Sequence, residues 1–111
     1  MTGKFVIHHA TDGQFHFVLK ANNGETILTS EMYKTKASAL NGIESVKKNA
    51  AHDERYERKV DKAGHPRFNL KAANHEVIGS SQGYSSETAR DHGIESVKKF
   101  APTAEVVDET A

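Results

Sequence analysis

The chain of 111 residues has no cysteine and no tryptophan, only two prolines, and no excess charge of either sign. Without cysteine there is no disulfide framework, no cysteine-type zinc knuckle and no thiol nucleophile, which suits a reducing compartment. Fifteen basic side chains balance fifteen acidic ones, so the broad cationic field of non-specific nucleic-acid and membrane binders is missing. No apolar run approaches the roughly 20 residues of a membrane span, and His8, His9 and Asp12 interrupt the start before a signal-peptide core can form. No phosphate loop, GxSxG elbow or HExxH helix is present. These absences predict a cytoplasmic protein with no membrane contact, no cofactor and no catalytic residues, and no motif defines an activity.

What is present is a repeat. GIESVKK at 42–48 recurs letter for letter at 93–99, an offset of 51 residues. In that frame 18 of the 48 pairs from Gly3/Glu54 to Ala50/Ala101 are identical, among them Gly13/Gly64, Phe17/Phe68, Leu19/Leu70, Ile27/Ile78 and Tyr33/Tyr84, with no gap. Two units, about 3–51 and 54–108, are expected to fuse into a single domain over 1–111, because a unit of about 50 residues buries too little surface to stand alone.

Periodicity assigns the elements. Phe5, Ile7, Phe15, Phe17 and Leu19 all sit at odd positions, the period of half-buried strands. One shared apolar face requires even-sum pairs such as Ile7 with Phe17, hence a three-residue loop Thr11-Asp12-Gly13 ending in a left-handed glycine. Asn22-Asn23-Gly24 is expected to obey the same parity, pairing Leu19 near Ile27. After Tyr33 the spacing becomes three and four, predicting a helix over 36–49 capped by Thr35 and a twin over 87–100 capped by Ser86, the latter burying Ala89, Ile94, Val97 and Ala101. Gly42 and Gly93 lie mid-helix, where close packing is the better explanation of their cost. Glu105-Val106-Val107-Asp108 reads as a last strand completing the first unit. Its offset counterpart, Glu54-Arg55-Tyr56-Glu57, is expected to open one long central strand shared by both units.

The stretches LKANNGETILTSEMYKTKASALNGIESVKKNA at 19–50 and LKAANHEVIGSSQGY at 70–84 resemble the YegP-like family of small uncharacterised bacterial proteins. The resemblance covers nearly the whole chain. It implies an α+β fold: two tandem βββα(β) repeats on one antiparallel sheet, two helices packed on one face, and a terminal strand exchanged between repeats. It implies no activity, substrate or catalytic residue. His75 stands where the family has a turn glycine, and Asp91-His92 replaces Leu40-Asn41, so the two units need not act alike.

Several residues are candidates for a site. His8 faces His16 across the first hairpin, a separation compatible with two ligands of one metal, but no third ligand is identifiable, and exposed histidines are the plainer reading. The repeated Lys20, Lys71, Lys47, Lys48, Lys98 and Lys99, with Tyr33 and Tyr84, are candidate binding residues. Helix pairing of Glu44 with Lys48 and Glu95 with Lys99, and packing of the tyrosines under the sheet edge, explain most of them without a ligand. The expectation is a non-enzymatic binding or assembly module that meets another protein, or itself, through its exposed strand edges or a polar sheet face carrying Val6, His8, His16, Val18 and Lys20. The alternative is a weak nucleic-acid-binding protein using the repeated lysines; an enzyme or a metal-binding protein ranks behind both.

Overall fold

A computed structural model describes residues 3–110. The elements run β1 (Lys4–His9), β2 (Phe15–Lys20), β3 (Thr26–Thr29), α1 (Lys36–Asn49), β4 (Tyr56–Val60), β5 (Pro66–Lys71), β6 (Val77–Ser80), α2 (Glu87–Phe100) and β7 (Glu105–Glu109). Among the described residues seven strands join one sheet in the order β4-β5-β6-β3-β2-β1-β7. The expected parity holds in the hairpins: Ile7 pairs with Phe17 and Arg58 with Phe68. Gly13 and Gly64 close the two loops at φ 85° and 87°, a conformation that costs glycine little.

Odd positions of the first unit face the helices. Phe5, Ile7, Phe17 and Leu19 are buried with Ile43 and Val46 of α1, and Phe68 and Leu70 with Ile94 and Val97 of α2. Thr35 and Ser86 cap their helices by accepting the N–H groups of Ser38 and Ala89, while Lys47-Lys48 and Lys98-Lys99 occupy the carboxyl ends, where the helix dipole favours cations. The mid-helix glycines are packing requirements. A Cβ at Gly42 would lie 2.5 Å from Tyr33 Oη and 3.0 Å from Phe17 Cε2, and one at Gly93 would lie 2.7 Å from Tyr84 Cζ.

The units meet between β3 and β6, whose ladder is the single pair Thr29↔Ser80. These two residues are repeat counterparts, so the pseudo-two-fold axis passes beside them. Their neighbours Leu28 and Gly79 are counterparts as well, and they touch: a Cβ at Gly79 would lie 2.7 Å from Leu28 Cδ2. Two leucines cannot share that space, and the junction is filled by one large residue and one absent side chain.

Five expectations need correction. β7 pairs with β1 in parallel, from Lys4↔Glu105 to His8↔Glu109, so the sheet is mixed at that edge, although the terminal strand does complete the first unit. β4 is an edge strand and serves only the second unit, because the short β3 and β6 take the centre. A bulge after Leu19 places Leu28, not Ile27, opposite it, and a matching bulge after Leu70 selects Gly79. In α2 the buried partner of Ala39 is Arg90, 8% exposed, while Ala89 is half-buried; the arginine's stem takes the alanine's place and its Nε donates to Asp91 Oδ1 at 3.2 Å. Val6, expected on a contact face, is buried beside Val107.

Candidate binding face

Both helices cover one side of the sheet. The other side carries the even positions of the first unit and their offset counterparts in the second. In the first unit these are Val6, His8, His16, Val18 and Lys20. His8 and His16 pair in register and their rings stack with centroids 5.2 Å apart. His8 Nδ1 lies 3.8 Å from Glu109 of β7, and His16 Nδ1 is buried without a hydrogen-bond partner among the described residues. Burial, and then the neighbouring His8, hold the His16 pKa below 6.5. The described residues include no cluster of three histidine, aspartate or glutamate side chains able to hold a metal ion.

In the second unit the same positions become Glu57, Lys59, Arg67, Asn69 and Lys71. Ser80 Oγ donates to Asn69 Oδ1 at 2.8 Å, Asn69 Nδ2 donates to Glu57 Oε1 at 3.2 Å, and Lys71 Nζ donates to Glu57 Oε2 at 3.1 Å. The lysine first, and then the asparagine, keep the Glu57 carboxyl below its ordinary pKa. Beyond this satisfied chain lies an open groove of about 710 Å³, lined by Lys59, Lys62, Arg67, Asn69 and Ser80. Arg67 is anchored by its Nη2 donating to Ser81 O at 2.7 Å. It also lines a smaller cleft of about 360 Å³ at the β3–β6 junction. Lys59 and Lys62 form no ion pair among the described residues. Their first-unit counterparts are His8 and Thr11, so the cationic groove belongs to the second repeat alone.

The residues singled out from sequence do not assemble into one surface. Lys20 and Lys71 lie on the helix-free face, whereas the two lysine pairs sit on the helices across the sheet. The helix pairs form one residue earlier than expected, Glu44 with Lys47 and Glu95 with Lys98 in place of Lys48 and Lys99: Lys47 lies 4.0 Å from Glu44 and over the Phe5 ring. Lys98 is held by Asp53 at 2.8 Å and Glu95 at 3.2 Å, and Lys99 lies over Phe100. Lys48 lines a cleft of about 320 Å³ with Asn49, His52, Arg55 and Asn74. Tyr33 and Tyr84 stack on Phe17 and Phe68, at 6.2 and 6.4 Å between centroids, under the helices; burial raises the pKa of both. Sequence reasoning passed over Lys59, Lys62 and Arg67 because they do not repeat. Carrying the parity of His8 and His16 forward by 51 residues leads to Lys59 and Arg67.

The sequence also passed over the role of a repeated serine. Ser30 Oγ accepts the Phe17 N–H at 2.8 Å and donates to Glu31 O. Ser81 Oγ accepts the Phe68 N–H at 2.9 Å and donates to Gln82 O. Each buried hydroxyl thus continues the ladder of its unit where the third strand ends.

A seven-stranded sheet built from two copies of a βββα unit, with both helices on one face and a final strand returned to the first copy, defines a class of duplicated sheet proteins. The chain belongs to the family DUF1508, a domain of unknown function, which matches residues 10–57 and again 61–108. It is 64% identical to a UPF0339 protein of Acinetobacter baylyi over 110 residues, 99% of either chain, and 53% identical to the UPF0339 protein YegP of Escherichia coli K12 over 110 residues, 99% of this chain and all of that one. The solution NMR structure of a UPF0339 protein from Shewanella oneidensis superposes with a TM-score of 0.93 at 52% identity, covering 99% of this chain and 93% of that one. The NMR structure of Escherichia coli yegP, described as a protein of unknown function, gives 0.94 at 52% identity, covering 100% and 96%. These relatives are uncharacterised, and no helix of the described residues is long and apolar enough to cross a membrane.

Proposed function

We propose that the protein is a non-enzymatic cytoplasmic binding module, and that its contact surface is the helix-free face of the second repeat, used to hold an anionic partner. The observation that carries this reading is the groove beside Lys59, Lys62 and Arg67, on a scaffold whose first copy has no such charge. Three cations against the single Asp61 give the groove a local positive field within a neutral chain. Asp61 accepts the N–H groups of Ala63 and His65 at 3.0 and 2.9 Å, which keeps it ionised, so it offsets one of the three cations and leaves the groove net positive. The non-enzymatic part rests on the carboxylates: Asp53, Glu57, Asp61, Asp91 and Asp108 are all held below their ordinary pKa by partners, not poised near neutrality as a general acid or base would be. The cytoplasmic part rests on the cysteine-free composition.

Affinity capture from native bacterial lysate, with and without nuclease, tests this with wild type beside the exposed pair Lys59→Glu/Lys62→Glu. The expected result is a protein recovered by wild type in both conditions and lost with the charge-reversed pair. Recovery that the pair leaves unchanged overturns the reading, and recovery that nuclease abolishes moves the nucleic-acid alternative into its place.

A further inference from the structure

The duplication contains a comparison that identifies an unfilled strand position. β1 and β4 are repeat counterparts, and each pairs on its inner side with the second strand of its own unit. On its outer side β1 holds β7 in parallel, whereas β4 ends the sheet with nothing beside it among the described residues. We propose that the outer edge of β4 takes an extended acidic segment of a partner protein as an eighth, parallel strand. This rests on the binding reading above and specifies the partner's form.

The register is supplied by the protein itself. β7 sets Glu105, Val106, Val107, Asp108 and Glu109 beside Lys4, Phe5, Val6, Ile7 and His8. Moved by the repeat offset, the same frame sets positions 108 and 109 of such a strand beside Arg58 and Lys59. Those positions are acidic in the tail and basic in β4, so charge is complementary where β1 offers only Ile7 and His8. Arg58 already holds carboxylates on the helix side, its Nε donating to Asp91 Oδ1 at 3.2 Å and its Nη2 lying 3.7 Å from Asp53 Oδ1, and Lys59 opens onto the cationic groove on the other side. Val60, 63% exposed, adds an apolar contact. A strand laid on this edge gains main-chain hydrogen bonds for affinity and draws its selectivity from the two flanking cations.

The occupant comes from outside the chain. β4 and β7 lie six strand spacings apart in the sheet, roughly 29 Å at about 4.8 Å per spacing, and the tail is fixed at its root by the buried Ala101 and Ala104. A second copy is the poorer donor, since withdrawing its tail to cover β4 would uncover its own β1. An acidic strand from a different protein adds pairing and removes none.

The test uses the full chain and, as probe, a blocked peptide with the sequence of residues 104–110, AEVVDET. Amide NMR titration is expected to move and slow the exchange of Glu57, Arg58, Lys59 and Val60, with β1 and β7 unmoved. Lys59→Glu should weaken binding about tenfold, and a peptide carrying Val106→Pro/Val107→Pro should not bind, because one of two consecutive residues in a parallel strand must give its N–H to the ladder and proline has none. No shift with peptide at about 1 mM, a range that detects even millimolar Kd, overturns the proposal. So do shifts confined to β1, which signal displacement of the tail, or equal binding by the proline peptide, which signals charge alone. If the peptide fails while Lys59→Glu/Lys62→Glu still abolishes lysate capture, the edge is wrong and the face reading stands; if the peptide binds at β4 while capture ignores the pair, the reverse holds.

Discussion

The two repeats share a backbone and differ in what they leave uncovered. In the first, the helix-free side carries Val6, Val18 and a stacked histidine pair, and its outer strand is covered by β7. In the second, the corresponding positions form an ionic chain from Lys71 through Glu57 to Ser80, a cationic groove and a bare edge. The centre of the helix-facing side is the same in both, Phe17 with Phe68, Leu19 with Leu70, Ile43 with Ile94 and Val46 with Val97, and its differences, Ile7 with Arg58, Ala39 with Arg90 and Leu28 with Gly79, lie around that shared centre. The helix side has one geometric solution, since phenylalanine, tyrosine and glycine interlock there. The opposite side is free of that constraint and has diverged.

The comparison is broken most severely at the axis where the repeats meet. Gly79→Leu sets a second leucine against Leu28 and is expected to cost about 3 kcal/mol, and Leu28→Gly about 4 kcal/mol. The exchange Leu28→Gly/Gly79→Leu restores one large and one absent side chain, so denaturant melts should find it cheaper than the sum of the singles by at least about 1 kcal/mol. Simple additivity would show that the two residues do not share one space.

Next in size is the interlock under each helix. Gly42→Leu must displace Tyr33 and Phe17 and is expected to cost about 3 kcal/mol; an unchanged melting temperature would refute close packing as the reason for that glycine. Removing residues 105–111 uncovers β1 and makes the first repeat resemble the second. Val106 is 41% exposed and Val107 half-buried, so the loss should be about 2 kcal/mol, less than two fully buried valines would give. A truncated chain with wild-type stability would mean that β7 adds nothing to the first repeat.

The smallest effect is a pH dependence just below neutrality, carried by a histidine of the first repeat. His16 has a folded pKa lowered from 6.5 by burial and by His8, so the unfolded chain binds the proton more readily. The stabilising contribution of neutral His16 is present above pH 6.5 and is lost as pH falls below that value toward the folded pKa. Asp108, held down to about 2 chiefly by Lys36, gives a separate loss as pH falls from 3.8 toward 2. Melting curves of wild type and His16→Gln should diverge as pH rises from the lower window toward 7, and curves that stay parallel across pH 6.5 would remove His16 from the account.

Strand parity, loop lengths, helix ends and caps were legible in the sequence because they depend on neighbours within one unit. Thr35 and Ser86 announce their helices, and Ile7 with Phe17 announces the hairpin. The bulge after Leu19, the burial of Arg90, the edge position of β4 and the parallel sense of β7 were not. Each is decided by a choice between non-local partners that local pattern does not rank. The Leu28/Gly79 contact appears in the alignment of the repeats only as a mismatch, and it becomes meaningful once the two are known to touch. The site was hidden for a related reason: repetition drew notice to Lys20, Lys47, Tyr33 and their twins, which serve the shared scaffold, while Lys59 and Arg67 stand where the repeats disagree.

The most direct test transfers the first repeat's face to the second with Lys59→His/Arg67→His/Asn69→Val and measures melting temperature and partner capture on the same protein. The expected result is a melting temperature within a few degrees of wild type, about 1 kcal/mol or less, together with loss of capture, because the helix side is untouched and the groove has lost two of its three cations. Capture retained at full strength by this folded variant would contradict the claim that the second repeat's helix-free face is where the protein binds.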